Sequence, residues 1–267
     1  MLRTRRGRAA AATLALAVVG TLAGCGVPPG GADVSVSGGV EADDPPGAVT
    51  CKNPGIDGET LIPTWQWDGT IDGQAARLAF SSQVSRVPEE GGLWVGTRRW
   101  LRFVSFPPGS TITPQPVSDD GTLRVSAHLE PIAAGDEAVD ITATLRCPGW
   151  GDVGLAGAVA GELDGVSSCP APGEAGSDAY VTYQVRSAQF EGQPVGTLTF
   201  AGLAGPTVDT ASLVAGGATW GATNQPGRPA QIEATVGDDG VLHARATFRR
   251  LDGQAGSVVA DATIRCP

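Results

Sequence analysis

The residues that most often carry catalysis are few in this chain, and they are not spaced for it. Among 267 residues there are only two histidines, His128 and His243. Nucleophilic and zinc chemistry usually needs a fixed spacing such as Gly-x-Ser-x-Gly or His-Glu-x-x-His. Neither spacing occurs, and neither does a phosphate-binding glycine loop or a Cys-x-x-Cys pair. The sequence therefore predicts no enzyme, no metal site and no cofactor, and it favours ordinary polar strand positions for both histidines.

Paired carboxylates offer a second kind of chemistry. The chain has three such pairs: Asp68 with Asp72, Glu89 with Glu90, and Asp119 with Asp120. Two acids facing one cleft serve glycosidases, and carboxylate oxygens bind calcium. These pairs stand beside glycine or proline, which is typical of solvated turns. We interpret them as turn residues, and we rank an acid-dependent wall hydrolase, which would need two carboxylates facing one cleft, last among the possible functions.

Tryptophans crowd the first half of the chain. The first half contains Trp65, Trp67, Trp94 and Trp100, whereas the body of the second half keeps only Trp220. Trp65 and Trp67 share one side of an extended segment, and with the arginines of residues 98–102 they could face a sugar or a lipid. Trp65, Trp67 and Trp94 are therefore a candidate ligand patch. The alternative is that they fill a core, which is the interpretation favoured for Trp100.

The first 24 residues predict an export signal that ends at a lipidated cysteine. Residues 1–8 carry four arginines and no acid, and residues 9–23 are small or aliphatic. The apolar run is shorter than the ~20 residues of a membrane-spanning helix. It ends in Leu22-Ala23-Gly24-Cys25, which resembles the bacterial lipobox. Cys25 would then carry two or three fatty chains, such as palmitate, on the outer face of the cytoplasmic membrane. Residues 25–32 form a short tether.

The charge of the chain argues against some partners. The full chain has a net charge of −10, and cleavage before Cys25 would remove four basic residues and no acid, leaving −14. Nucleic acids and anionic membrane surfaces attract basic proteins. We therefore expect no nucleic-acid partner and a membrane contact made through the lipid anchor.

An internal duplication organises the mature chain. Ala143-Thr144-Leu145-Arg146-Cys147-Pro148 recurs 119 residues later as Ala262-Thr263-Ile264-Arg265-Cys266-Pro267. Asp119-Asp120-Gly121 recurs at the same offset as Asp238-Asp239-Gly240. Because the landmarks keep their order, we predict repeat one at 33–148 and repeat two at 152–267, joined by residues 149–151.

The remaining cysteines fall two to each repeat. They are Cys51, Cys147, Cys169 and Cys266. Four cysteines allow three pairings, and the duplication predicts Cys51–Cys147 and Cys169–Cys266. Disulfides persist outside the cytoplasm, so each repeat is expected to be closed by one bridge.

Short alternating segments predict an all-β fold, with at most a minor helix. The segments in repeat one are 35–40, 77–81, 100–106, 122–128 and 139–145, and those in repeat two are 180–186, 196–200, 231–236, 241–248 and 258–264. Glycine and proline punctuate the gaps, and each Asp-Asp-Gly joins two strand-like runs as a hairpin turn. We expect two small antiparallel β-sandwich or half-barrel domains.

The landmarks together resemble a known family. A lipobox precedes Val49-Thr50-Cys51, a glycine-rich middle, a hairpin after Gly121 and a last strand ending at Cys147. This is similar to the mycobacterial 19 kDa lipoprotein antigen family of actinobacterial surface antigens, here as a tandem duplication. One departure is the tether at 26–31, which lacks the hydroxyl residues typical of the family. The resemblance implies envelope display, recognition of surfaces and no enzymatic chemistry.

Two functions follow as expectations. In the first, a lipid-anchored envelope protein displays two β domains for adhesion to a cell-wall component, a glycolipid or a host receptor. In the second, one domain carries a lipid or glycolipid in an apolar cavity of several hundred Å³. The two differ in whether Trp65, Trp94 and their aliphatic neighbours line a void or pack closely.

Overall fold

The computed structural model describes residues 29–52, 63–82, 87–103, 106–169, 181–187, 196–202, 207–227 and 229–267. In these ranges the chain forms twenty β-strands and no α-helix. No helix in the described ranges could therefore span a membrane. The all-β prediction is confirmed, and the minor helix that it allowed is not found in this part of the chain.

Repeat one forms one antiparallel sheet of ten strands. They are β1 (Ala32–Gly38), β2 (Ala42–Asp43), β3 (Gly47–Lys52), β4 (Thr64–Ile71), β5 (Gln74–Ser81), β6 (Glu90–Val95), β7 (Arg98–Arg102), β8 (Thr111–Pro114), β9 (Thr122–Pro131) and β10 (Val139–Arg146). Their order across the sheet is β2-β1-β10-β9-β7-β6-β5-β4-β3, and β8 pairs with the free part of β9.

Repeat two forms a second sheet with the same strand order. Its strands are β11 (Trp150–Gly157), β12 (Gly161–Glu162), β13 (Ser167–Ser168), β14 (Val181–Arg186), β15 (Gly196–Gly202), β16 (Thr210–Ala215), β17 (Ala218–Thr223), β18 (Ile232–Val236), β19 (Leu242–Arg250) and β20 (Ser257–Arg265). The order is β12-β11-β20-β19-β17-β16-β15-β14-β13, with β18 on β19. The duplication predicted from the sequence is thus a duplication of topology.

Each sheet curls into a half-barrel in which a disulfide joins one edge of the sheet to the end of an interior strand. In repeat one, Cys51 on the edge strand β3 bonds to Cys147, directly after β10, with their Cα atoms 5.5 Å apart. Beside the bridge the Val49 amide of β3 donates to the Gly30 carbonyl, 3.0 Å away, before β1 begins. Repeat two repeats the arrangement with Cys169 and Cys266. Both predicted pairings are confirmed.

The inside of each curl is filled by every second residue of the strands. Strand neighbours point to opposite faces, so alternate residues meet in the core. Leu78, Leu93 and Trp100 lie side by side on β5, β6 and β7, and all three are fully buried. Their counterparts in repeat two are equally buried and paired in the same way. The core prediction for Trp100 is confirmed.

One predicted strand is wrong in its second half. The segment 100–106 was expected to be extended throughout, but β7 ends at Arg102. Phe103 and Phe106 instead pair with each other, each amide donating to the other's carbonyl at 2.8 and 3.0 Å. The chain reverses here, just before Pro107, and both phenylalanine side chains are left exposed, at 60% and 61%.

The two Asp-Asp-Gly triplets form equivalent turns. Asp120 Oδ1 accepts the Thr122 amide at 3.1 Å, and Asp239 Oδ1 accepts the Val241 amide at 3.1 Å. The following glycines have φ of 75° at Gly121 and 77° at Gly240, a region that glycine occupies without steric cost. The side chain of aspartate and the freedom of glycine thus close both turns.

A tryptophan from the second sheet completes the first core. Trp150 opens β11, yet its buried ring belongs to the core of repeat one, 6.1 Å from the ring of Trp65. Trp65 Nε1 donates to the Gly121 carbonyl at 3.1 Å. A Cβ on Gly121 would lie 2.7 Å from the Trp150 ring. The join between the repeats is therefore packed into repeat one.

An arginine of repeat two also reaches across the join. Arg265 Nη2 donates to the carbonyls of Asp120 and Cys147, at 2.6 and 3.2 Å. Its repeat-one counterpart, Arg146, lies 3.1 Å from the Asp120 carboxylate. Burial and the nearby charge of Arg146 lower the pKa of Arg265, and Asp120 opposes this. The two equivalent arginines thus have different roles. Arg146 makes its contact within repeat one, and Arg265 joins repeat two to repeat one.

Candidate functional site

The three tryptophans of the predicted ligand patch do not share a surface. Trp65 and Trp67 are 1% and 0% exposed and lie in the core of repeat one. Trp94 lies on β6 between the buried Leu93 and Val95 and points to the outer face of the sheet. Of the two interpretations given for Trp65 and Trp67, their burial supports the core, and only Trp94 is in a position to meet a ligand.

Trp67 occupies its place because two glycines make room for it. A Cβ on Gly47 would lie 2.1 Å from the indole nitrogen, and a Cβ on Gly69 would lie 2.3 Å from the ring. Real Cβ atoms do not approach so closely, so any larger residue at either position would displace the ring or the strand. The core around Trp67 is closely packed.

The outer side of repeat one carries an apolar surface, which we call the aromatic face. Its members are Trp94 on β6, Leu101 on β7, Phe103 directly after β7 and Ile132, which follows β9. Ile132 is joined to β7 by its amide, which donates to the Arg99 carbonyl at 3.0 Å. A shallow groove of about 280 Å³ runs along the face, with Ala79 and Gly91 in its floor. Single exposed apolar residues are ordinary, but a contiguous group marks a surface for interaction.

Trp94 extends over Gly92 because that residue has no side chain. A Cβ on Gly92 would lie 2.7 Å from the Trp94 ring and 2.4 Å from a Leu101 methyl group. The ring and the leucine therefore meet above the backbone of Gly92. The far end of the indole lies over Gly92, and Trp94 stays partly exposed, so it offers an aromatic surface on the outside of the sheet.

Repeat two has no aromatic ring at the position of Trp94. The residue in its place is Val214, which pairs with Thr197 and Thr219 where Trp94 pairs with Arg77 and Arg99. Val214 and Leu251, which takes the place of Ile132, are exposed, so repeat two presents a smaller, aliphatic surface there. Some inner residues correspond, such as Leu78 with Leu198, whereas the inner Trp65 and Trp67 are replaced by Tyr183 and Val185. The aromatic character of the face belongs to repeat one.

Repeat two carries a polar groove instead. It has a volume of about 660 Å³ and crosses the outer sides of β11, β18, β19 and β20. The charged residues in its walls are Asp152, Glu162, Glu233, Asp261, His243 and Arg245. Arg245 is paired with Asp261 at 3.2 Å. No group of three acids, histidines or cysteines in the described ranges is placed to hold a metal ion.

The carboxylate pairs are held in local contacts. Asp68 bonds to Arg77 at 2.8 Å and to Gln66, and Asp72 sits in the tight turn between β4 and β5. Burial raises the pKa of Asp68, but the hydrogen bonds from Arg77 and Gln66 outweigh it and the pKa is lowered overall. The pKa of Asp120 is lowered in the same way, because its hydrogen bonds with Ser118 and Thr122 outweigh the effect of burial. Asp72, Asp119 and Asp120 lie in turns, as predicted, whereas Asp68 lies within β4 and the buried Glu90 begins β6, so the turn interpretation is wrong for these two.

The two histidines occupy different surroundings. His128 Nδ1 lies 2.8 Å from Asp140, and Nε2 lies 3.5 Å from Glu130. His243 Nδ1 lies 3.3 Å from the Thr263 hydroxyl. The hydrogen bond to Asp140 raises the pKa of His128, burial opposes it, and the charges of Asp140 and Glu130 add to it. All these groups are on the surface of the sheet.

The raised pKa of His128 gives a stability that depends on pH. Because folding favours protonated His128, its contribution is complete below about pH 6.5, the unfolded pKa, and is lost as pH rises through the higher folded value. The pair is exposed, so we expect less than about 1 kcal/mol. Urea denaturation should show that His128→Asn costs more stability at pH 5.5 than at pH 8.5.

The matched control is His243→Asn, whose ring faces a hydroxyl and not a carboxylate. The loss of stability caused by His243→Asn should differ less between pH 5.5 and pH 8.5 than the loss caused by His128→Asn. A His128→Asn variant that costs the same stability at both pH values, or more at pH 8.5, contradicts the assignment.

The cysteines of the two disulfides are in place, as described above, whereas Cys25 and the export signal before it lie outside the described residues. The lipid anchor therefore stays a prediction. Comparison of the chain with known protein families, curated proteins and solved structures finds no match. The resemblance to the mycobacterial lipoprotein antigens thus stays a prediction that rests on the sequence landmarks alone.

Proposed function

We propose that this chain is a lipid-anchored, non-enzymatic binding protein of the bacterial envelope that contacts its partner through the aromatic face of repeat one. The observation that carries the proposal is the position of Trp94, partly exposed on the outside of the sheet beside Leu101 and above Gly92. A flat aromatic ring next to a shallow groove offers apolar contact area at little cost in side-chain entropy.

Close packing of the interior favours display over the carrier alternative. A carrier needs an apolar void around Trp65 and its neighbours. Trp65 instead contacts Trp150 and bonds to the Gly121 carbonyl, and Trp67 fits against Gly47 and Gly69. Side chains packed in this way fill the space that an acyl chain would occupy.

The difference between the outer faces also supports display. The two repeats use the same inner positions, such as Trp100 and Trp220, to hold the same fold. On the outer side Val214 stands where repeat one has Trp94. Residues that differ while the scaffold is kept are those free to serve recognition. A partner in the cell wall, a glycolipid or a host receptor fits this arrangement.

The anchor is tested by replacing the cysteine that would carry it. In Cys25→Ala the thiol that accepts the diacylglyceryl group is gone, so the protein should leave the membrane fraction and appear in the medium or the wash. Cell fractionation with labelled fatty acid measures both effects. The control is Cys169→Ala with Cys266→Ala, which should keep the label. A Cys25→Ala protein that stays in the membrane counts against the anchor.

Binding is tested with the soluble Cys25→Ala chain and insoluble cell-wall material from the bacterium that produces it. Co-sedimentation should show saturable binding that falls about tenfold with Trp94→Ala, the usual effect of losing a central aromatic contact. Val214→Ala, the same position in repeat two, should bind normally. If Trp94→Ala binds like the parent chain, the aromatic face is not the site.

A further inference from the structure

Two arginines stand on either side of Trp94. The outer residues Arg77 of β5, Trp94 of β6 and Arg99 of β7 are directly paired across the three strands. Neighbouring strands are ~4.8 Å apart, so the two arginine backbones are about 10 Å apart, with the indole between them. This row combines one planar apolar surface with two guanidinium groups.

The acids near this row are already engaged. Asp68 ends the row and is paired with Arg77 at 2.8 Å. Glu90 is only 8% exposed, and Glu130 lies beside His128 at 3.5 Å. Arg99, by contrast, is exposed. Arg77 therefore shares its charge with Asp68 on one side of the ring, and the exposed Arg99 presents the less compensated positive charge on the other.

Arg102 adds positive charge at the end of the groove. It lines the groove beside Leu101 and donates to the carbonyls of Glu89 and Ser110. Peptide carbonyls satisfy these donors without cancelling their charge. Arg98 points to the other side of β7, over the buried Trp100 ring, and does not belong to this surface. Such a patch selects a partner of opposite charge.

We propose that the row Arg77–Trp94–Arg99 binds an acidic polysaccharide, with a sugar ring on the indole and carboxylates on the two arginines. The proposal rests on the function proposed above and names the partner class of the same face. Guanidinium groups bind carboxylates through two parallel hydrogen bonds, and the C–H face of a sugar packs on an aromatic ring.

The spacing favours a polymer over a small anion. One carboxylate cannot reach two guanidinium groups on opposite sides of an indole, whereas a chain with a charge on successive sugars offers one to each. The groove that continues past Leu101 toward Phe103 gives such a chain a path along the sheet. In repeat two the same row is Thr197–Val214–Thr219, which provides neither charge nor a ring.

The test uses the full Cys25→Ala chain and two probes that differ only in charge. Polygalacturonate carries a carboxylate on every sugar, and its methyl ester has the same backbone without the charge. Calorimetry at low salt should show binding to the acid form at least tenfold tighter than to the ester. Arg99→Gln and Trp94→Ala should each weaken binding about tenfold, the effect of one lost charge-assisted or stacking contact. Added salt should weaken it further.

Matched variants at the same row of repeat two, Thr219→Ala and Val214→Ala, should leave the affinity unchanged. Because Arg99 is exposed, Arg99→Gln keeps the fold even if Trp94→Ala does not, and circular dichroism checks both. Equal binding of the two probes, binding of neither, or an Arg99→Gln chain that binds normally overturns the proposal. So does tighter binding to vesicles of anionic phospholipid.

If the acidic-polysaccharide proposal fails, the cell-wall assay still tests the proposed function independently. If wall binding still depends on Trp94, the face is the site and its partner is not an acidic polysaccharide. If wall binding ignores Trp94, the proposed function itself fails.

Discussion

Replacing Trp150 with alanine is expected to lower the free energy of unfolding of repeat one by about 3–5 kcal/mol, the usual cost of removing a buried aromatic side chain. The ring is 3% exposed and packs among residues of the first core. Its backbone belongs to the second sheet, where it pairs with Arg265. The substitution should therefore affect repeat one far more than repeat two. Hydrogen exchange in rising urea, read on peptides from each repeat, measures the two effects separately.

A pair of glycines provides the matched control. Gly121 and Gly240 have nearly the same φ, 75° and 77°, so replacing either with alanine costs a similar backbone strain of about 1 kcal/mol. Only at Gly121 would the new methyl group meet Trp150, at 2.7 Å. Gly121→Ala should cost more than Gly240→Ala, and the excess should disappear in the Trp150→Ala background. Equal costs in the parent chain would contradict the packing of Trp150 on this turn.

Removing the disulfide of repeat one is the second large effect. Cys51→Ala with Cys147→Ala should lower the stability of repeat one by about 2–5 kcal/mol, because the unfolded chain regains the freedom of a long closed loop. The bridge spans 96 residues and joins the edge strand β3 to the end of β10. Its loss should also loosen β3, which has a full strand partner only on the side of β4. Thermal denaturation of the double variant measures the loss.

The equivalent double variant in repeat two serves as the comparison. The loop is 97 residues long, so the stability change should be similar. The two bridges should differ in their reaction with reductant, because only Cys51 is partly exposed in the first bridge, whereas Cys169 and Cys266 are both partly exposed in the second. Mild reduction followed by alkylation should label repeat two first. Labelling of Cys147 before Cys266 would contradict this order.

The fold was predictable from the sequence to the extent that it depends on local patterns. The duplication of the Arg-Cys-Pro ends located both disulfides, and the Asp-Asp-Gly triplets located both hairpins. The bounds of β4 were not predicted, because the sequence allowed its tryptophans, Trp65 and Trp67, to lie either on the surface or in the core. The reversal after Arg102 was missed, because Trp100, Leu101, Phe103 and Phe106 together resemble one apolar strand.

The candidate site was less predictable, because it depends on which face of a strand each residue occupies. Trp65, Trp67 and Trp94 differ little in type, and only the register of the sheet separates two inner residues from one outer residue. The row that brings Arg77 to Trp94 joins positions 17 residues apart. The contact between Gly92 and the indole ring depends on the absence of a side chain. Strand pairing, which the sequence did not determine here, decides the first two, and the third depends on how two residues of one strand are arranged.

The position of Trp150 means that the two halves of this protein are not exchangeable building blocks. The second half supplies an inner residue to the first, and Arg265 bonds to backbone groups of the first half. A gene rearranged to encode the halves in reverse order would separate Trp150 from Gly121 and leave a gap in one core. Any recombination that shuffles these copies must carry the short Gly149-Trp150-Gly151 segment together with the half that precedes it.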